Sequence, residues 1–90
     1  PADGGETLQE QTERKETRSA IQQAIAAVPE GMREVFLLRD VHGLSVEETA
    51  QALQIAQGTV KSRLARAREK IAAELKRRGV GQTGGERHAV

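Results

Sequence analysis

The stretch Gly58-Thr59-Val60-Lys61-Ser62-Arg63-Leu64-Ala65-Arg66-Ala67-Arg68, continued through Ile71 and Leu75, decides the fold. Its apolar residues Val60, Leu64, Ala67, Ile71 and Leu75 follow one another at steps of four, three, four and four. That is the spacing of one face of an α-helix. With Val60 and Leu64 turned to a core, Ser62, Ala65, Arg66 and Glu69 point the other way, and Lys61 and Arg63 flank them. The outer face therefore combines cations, a hydroxyl and a methyl group. A helix needs these groups in the major groove of DNA: Arg and Lys pair with guanine or phosphate, Ser donates or accepts, and Ala meets a thymine methyl. Gly58, Thr59 and Val60 at the helix start add backbone N–H groups suited to a phosphate. A basic helix face alone also fits a merely solvated surface, and the flanking sequence has to decide.

Upstream, Ser45-Val46-Glu47-Glu48 is a capping box, with Glu48 three residues after the capping Ser45. Val46, Thr49, Ala50 and Leu53 would face inward on the helix it opens, and Gln54 to Gln57 reads as a turn, with the next helix starting near Gly58-Thr59. A short capped helix, a short turn and a longer basic helix form a helix-turn-helix, here from about Ser45 to Arg78. Two more helices precede it. Ile21, Ala24, Ile25 and Val28 fall at helical spacing, and Pro29 ends that helix and opens the next. The second runs to about Val41 and stops at Gly43, a natural left-handed cap. Met32, Val35, Phe36 and either Leu38 or Arg39 make its buried stripe, and Leu37 lies opposite. That helix is apolar nearly all round, so it is covered on two faces or Leu37, with Leu38 and Val41, forms a docking patch. The expectation is an all-α, four-helix domain over residues 17–78. Residues 1–16 read as a flexible linker fraying into the first helix, and the glycine-rich residues 79–90 as a disordered tail.

Ninety residues suffice for one domain. Phe36 is the only aromatic residue, so the core is aliphatic side chains on closely packed helices. No cysteine is present, which excludes disulfides and thiolate metal sites and suits a reducing cytoplasm. No apolar run approaches the length of a membrane span or a signal-peptide core. The chain starts at Pro1 instead of Met and reads as a piece of something longer. Its net charge of +1 hides an asymmetry: residues 1–58 hold five bases against ten acids, and residues 59–90 nine bases against three acids. One basic end suits a polyanion, or simply a solvated tail. His42 and His88 sit in a turn and in the tail, and the Glu47-Glu48 pair is explained by capping and helix-dipole preference. No metal, cofactor or catalytic constellation assembles, which argues against an enzyme.

Three stretches carry a resemblance. Val28 to Asp40 is similar to the "LPERQREVFLLRD" run of extracytoplasmic-function (ECF) sigma factors, and Gly43 to Ala50 to their "GLSYEEIA". Gly58 to Arg68 matches "GTVKSRLxRAR" almost letter for letter, and the whole resemblance covers roughly residues 20–76. It implies region four of a bacterial sigma factor: a winged-helix-like helix-turn-helix domain with no wing. Such a domain binds double-stranded promoter DNA at the minus-35 element and docks on the β-subunit flap of RNA polymerase. Carried over by position, Lys61, Ser62 and Ala65 would meet base edges, and Thr59, Arg63, Arg66 and Arg68 would hold phosphates. The resemblance further implies a cytoplasmic monomer, frequently silenced by an anti-sigma factor. Leu37, Leu38 and Val41 would suit that partner or the flap. Region two, which melts promoters, is absent from this chain. Ala56-Gln57 stands where the family often has Pro-Val, which offers Gln57 as an added polar DNA contact. Ala65 stands where larger side chains are common, so promoter preference does not carry over from relatives.

Two rival readings stand beside this one, the second from another class. LuxR-like response-regulator effector domains share the "REVFLL", "GLS" and "TVK" elements. They usually carry His two residues after that Lys, where this chain has Arg63, and they lack the Arg63-Leu64-Ala65-Arg66-Ala67-Arg68 run. A protein-interaction module could instead use the basic helix on an acidic partner, and salt-dependent binding specific to duplex DNA separates the two.

Overall fold

The computed structural model describes residues 7–79. Its elements are α1 (Leu8–Ala26), α2 (Glu30–Phe36) running on into a π-helical turn (Leu37–Val41), α3 (Val46–Leu53) and α4 (Gln57–Arg77). All regular structure among the described residues is helical.

The expected start of the helical unit at residue 17 is corrected, because α1 begins at Leu8. The reason is a capping box. Thr7 Oγ1 accepts from the Glu10 N–H at 3.0 Å, and Glu10 Oε1 accepts from the Thr7 N–H at 2.9 Å. Gln9 adds a bond to Glu13 one turn on. This outer half has no apolar stripe, and every residue from Thr7 to Ser19 is exposed. Local bonding therefore holds it helical. Expectations for residues 1–6 and 80–90 lie outside the described residues.

Only the end of α1 is packed. Ala24 and Val28 are buried with Ala67 and Ile71 of α4, and Ile25, Met32, Phe36 and Leu75 close over them. Ile21, expected in this stripe, is 38% exposed. Gln23 already bonds Arg78 at the end of α4, so Ile21 has little helix left to pack against. Arg33 ties off the α1–α2 junction: its Nη1 donates to the carbonyls of Ala26 and Val28. Those carbonyls lie past the last full turn and lack helical partners.

A second cluster joins Val35 of α2, Ala50 of α3 and Val60 and Leu64 of α4, flanked by Phe36, Val46, Leu53 and Ile55. Phe36 borders both clusters. The expected stripe of α4 is in place, with Val60, Leu64, Ala67 and Ile71 buried and Leu75 half-buried. In α3 the Ser45 capping box forms as expected, with bonds of 2.8 and 2.9 Å. Gly43 takes the left-handed conformation at φ +78°, which glycine adopts without steric cost. Before it, the His42 N–H reaches back to Leu37 O, a five-residue step that widens the last turn of this helix. Arg39 then donates to Leu44 O and holds the loop into α3.

Within the π turn Asp40 meets Arg68 of α4 through two parallel bonds, Nε–Oδ2 at 2.8 Å and Nη2–Oδ1 at 2.7 Å. This fork-to-fork geometry is the strong form of an ion pair. The hydrogen bonds from Arg68 hold the Asp40 carboxyl below its ordinary value of 3.8, against some desolvation and with help from the charges of Arg68 and Arg39.

The turn of the helix-turn-helix is shorter than expected. It comprises Gln54, Ile55 and Ala56, and α4 begins at Gln57 instead of Gly58-Thr59. Gln54 is left-handed at φ 59°, and the Ile55 N–H bonds Ala50 O at 3.0 Å, a helix-ending bond normally associated with glycine. Extended Ala56 then starts α4 without any side-chain cap, so no residue type marks the boundary.

Two outcomes are expected of this core. Thr49 is fully buried, and its hydroxyl has no hydrogen-bond partner among the described residues. A buried unsatisfied hydroxyl costs about 1–3 kcal/mol. Thr49→Val should therefore raise stability by about 1 kcal/mol, read as a higher urea midpoint at unchanged slope; an unchanged midpoint would show that the hydroxyl is satisfied in solution. The second concerns acid. Folding lowers the Asp40 pKa, so the unfolded chain takes the proton more readily. The stability this supplies is complete above the unfolded value and is lost as pH falls through the folded one. Asp40→Asn should start out less stable at neutral pH and lose less below about pH 4, so that urea midpoints of variant and parent converge in acid. Parallel curves would mean that the pair does not hold in solution.

Candidate nucleic-acid interface

The core fixes how α4 is turned. Val60, Leu64 and Ala67 face inward, and at about 100° per residue Ser62, Ala65 and Arg66 must face out. All three are exposed, as is Lys61 beside them. Ser62 donates to the Thr59 carbonyl at 3.2 Å within its own helix, which leaves the hydroxyl oxygen open as an acceptor. No hydrogen bond or ion pair to another described residue engages the charged ends of Lys61 or Arg66. A contiguous patch of two cations, a hydroxyl and a methyl thus projects from the second helix of the helix-turn-helix.

The other residues expected in this site divide between two flanks. Gln57 is exposed in the first turn, on the side of Lys61 and Arg68. Arg68 is exposed as well, but one edge of its guanidinium is bonded to Asp40 through Nε and Nη2. Thr59 and Arg63 lie on the opposite flank, with Arg66 between them and the outer face, and both are half-buried. Arg63 lies down against the first turn of α2. A β-carbon on Gly31 would come within 3.3 Å of its Nη1, so the missing side chain at Gly31 makes room for it. Arg63 finds no acceptor among the described residues, so its donors are unpaired there.

Sequence reasoning missed two residues that border this face. Asp40 stands 28 residues from Arg68, and no local pattern announces the pairing. Lys70 is different. It follows Arg66 by four residues and Arg63 by seven, a spacing that puts it on the same flank and could have been read directly.

The docking patch expected at Leu37, Leu38 and Val41 lies on the π turn, away from this face. Leu37 and Leu38 are half-buried, and Val41 is 57% exposed. Among the described residues no cluster of His, Asp or Glu could hold a metal ion, and no helix is long and apolar enough to cross a membrane.

Known proteins share this arrangement in sequence. Residues 18–71 match the family model described as Sigma-70, region 4. The chain is 41% identical over 66 residues to the ECF RNA polymerase sigma factor SigM of Mycobacterium tuberculosis, covering 73% of this chain and 34% of that protein. It is 43% identical over 58 residues to the RNA polymerase sigma-H factor of Pseudomonas aeruginosa, covering 64% and 30%. It is 42% identical over 57 residues to the ECF RNA polymerase sigma-E factor of Escherichia coli, covering 63% and 30%. The chain therefore spans about a third of the length of the curated relatives it matches. The matched residues begin in α1 and end on Ile71, the last buried residue of α4, so they include every buried core residue, and the chain belongs to the sigma-70 region 4 family.

Proposed function

We propose that this domain recognises the minus-35 element of promoters as the C-terminal part of an ECF sigma factor, and so directs RNA polymerase to the start of transcription in the bacterial cytoplasm. One observation carries the reading: Lys61, Ser62, Ala65 and Arg66 form an exposed face on the second helix of a helix-turn-helix, and no other described residue occupies its cations. In the major groove, Lys61, Ser62 and Ala65 meet base edges, and Thr59, Arg63 and Arg66 take phosphates, with Gln57 a further polar contact at the groove mouth. Because this face is small and Ala65 reaches only a methyl-sized distance, the isolated domain binds weakly and gains its affinity from polymerase. The exposed Val41 beside Leu37 and Leu38 favours protein docking on the π turn, by the polymerase flap or an anti-sigma factor. The domain acts as a monomer and carries out no catalysis. Family membership and the cations of Arg63 and Arg66 disfavour the LuxR-like alternative.

The test is a fluorescence-anisotropy titration with duplexes carrying candidate minus-35 elements at two salt concentrations. Binding should depend on sequence and weaken with salt. Lys61→Ala should cost about 1–3 kcal/mol on the preferred duplex and less on others, as expected for a base contact. Arg66→Ala should weaken all duplexes alike and reduce the slope of log affinity against log salt by about one. Wild-type affinity in both variants would put the reading face elsewhere. No binding at low salt would move the function to the π-turn surface.

A further inference from the structure

The cations of α4 differ in what already holds them. Arg68 is gripped by Asp40 through two bonds along one edge of its guanidinium. A phosphate approaching it would have to break both bonds or accept the Asp40 carboxylate as a neighbour of like charge. Either way the pair offers a polyanion little net charge. The opposite flank carries Thr59, Arg63, Arg66 and Lys70 at steps of four, three and four, one continuous row along the helix. Lys70 is exposed. The carboxylate best placed to neutralise it, Glu74 one turn on, is already engaged by Arg77 at 2.8 Å and Arg78 at 3.4 Å. No hydrogen bond or ion pair to another described residue engages Lys70. From Arg63 to Lys70 the helix rises about 10 Å, a length along which one strand of the DNA backbone can run.

We propose that Lys70, and not Arg68, supplies the phosphate contact toward the C-terminal end of α4, so that the DNA backbone follows the row Arg63, Arg66, Lys70, while Arg68 serves the fold by fastening α4 to Asp40. The assignment rests on the promoter-binding reading above.

The experiment compares salt slopes of the full chain on a mixed-sequence duplex, since phosphate contacts are blind to sequence. Lys70→Ala should weaken binding on every duplex and lower the slope by about one. Arg68→Ala should leave the slope at the parent value and lower the thermal midpoint. Arg68→Gln, which removes the charge but can still donate to Asp40, should leave the slope unchanged with a smaller loss of midpoint, and it serves if the alanine variant does not fold. A slope reduced by about one in Arg68→Gln, or a parent slope in Lys70→Ala, overturns the assignment while leaving promoter binding intact. A parent chain with no salt-sensitive affinity for any duplex overturns both.

Discussion

Everything in this domain hangs on the apolar stripe of α4. Val60 and Leu64 complete one core cluster with α2 and α3, and Ala67 and Ile71 complete the other with α1. Phe36, the single aromatic side chain, lies against both clusters and couples them. One helix therefore serves as spine and also carries the exposed face proposed to read DNA. Its rotation about its own axis is set by four buried side chains, and the same rotation determines which residues face outward. A change that repacks Val60 or Leu64 would also turn Lys61, Ser62 and Arg66, because a rigid helix cannot move one face without the other.

A core of small aliphatic residues leaves much of the stabilisation to the ends of the elements, and arginines do a large part of that work. Arg33 satisfies the last carbonyls of α1, Arg39 the carbonyl of Leu44 ahead of α3, and Arg78 fastens the end of α4 to Gln23. Arg68 joins α4 to the π turn through Asp40. The planar, multi-donor guanidinium suits such sites, because it bonds two acceptors at once in a fixed geometry.

This division explains what could be read from the sequence. Stripes and caps were legible where the pattern is local: Val60 to Ile71 in α4, the Ser45-Glu48 box in α3 and the left-handed Gly43 all stand where spacing placed them. The early start of α1 was legible too, in Thr7 and Glu10, but the absence of an apolar stripe masked it. Gln54 and Ala56 escaped because neither is the residue type usually found at its position. The outward face of α4 followed from periodicity. The Asp40–Arg68 pair did not, since it depends on a widened helical turn that brings together residues 28 apart.

The charge asymmetry of the chain takes on a sharper meaning in the fold. Counted by sequence, residues 59–90 carry nine bases, a number that suggests a broadly cationic surface. Arg68, Arg77 and Arg78 are bonded to Asp40, Glu74 or Gln23. Among the bases of α4, the charges left for a polyanion include Lys61, Arg63, Arg66 and Lys70, and three of these share one flank. The helix is thus unevenly charged, with Arg68 neutralised beside the π turn, Lys61 unpaired among the described residues on that side, and Arg63, Arg66 and Lys70 gathered on the flank toward the start of α2. On the promoter-binding proposal, a duplex drawn in by Coulomb attraction would meet the flank of Arg63, Arg66 and Lys70 first. The total charge of the segment is thus a poor guide to the charge that it has left to present, because part of that total is already paired within the fold.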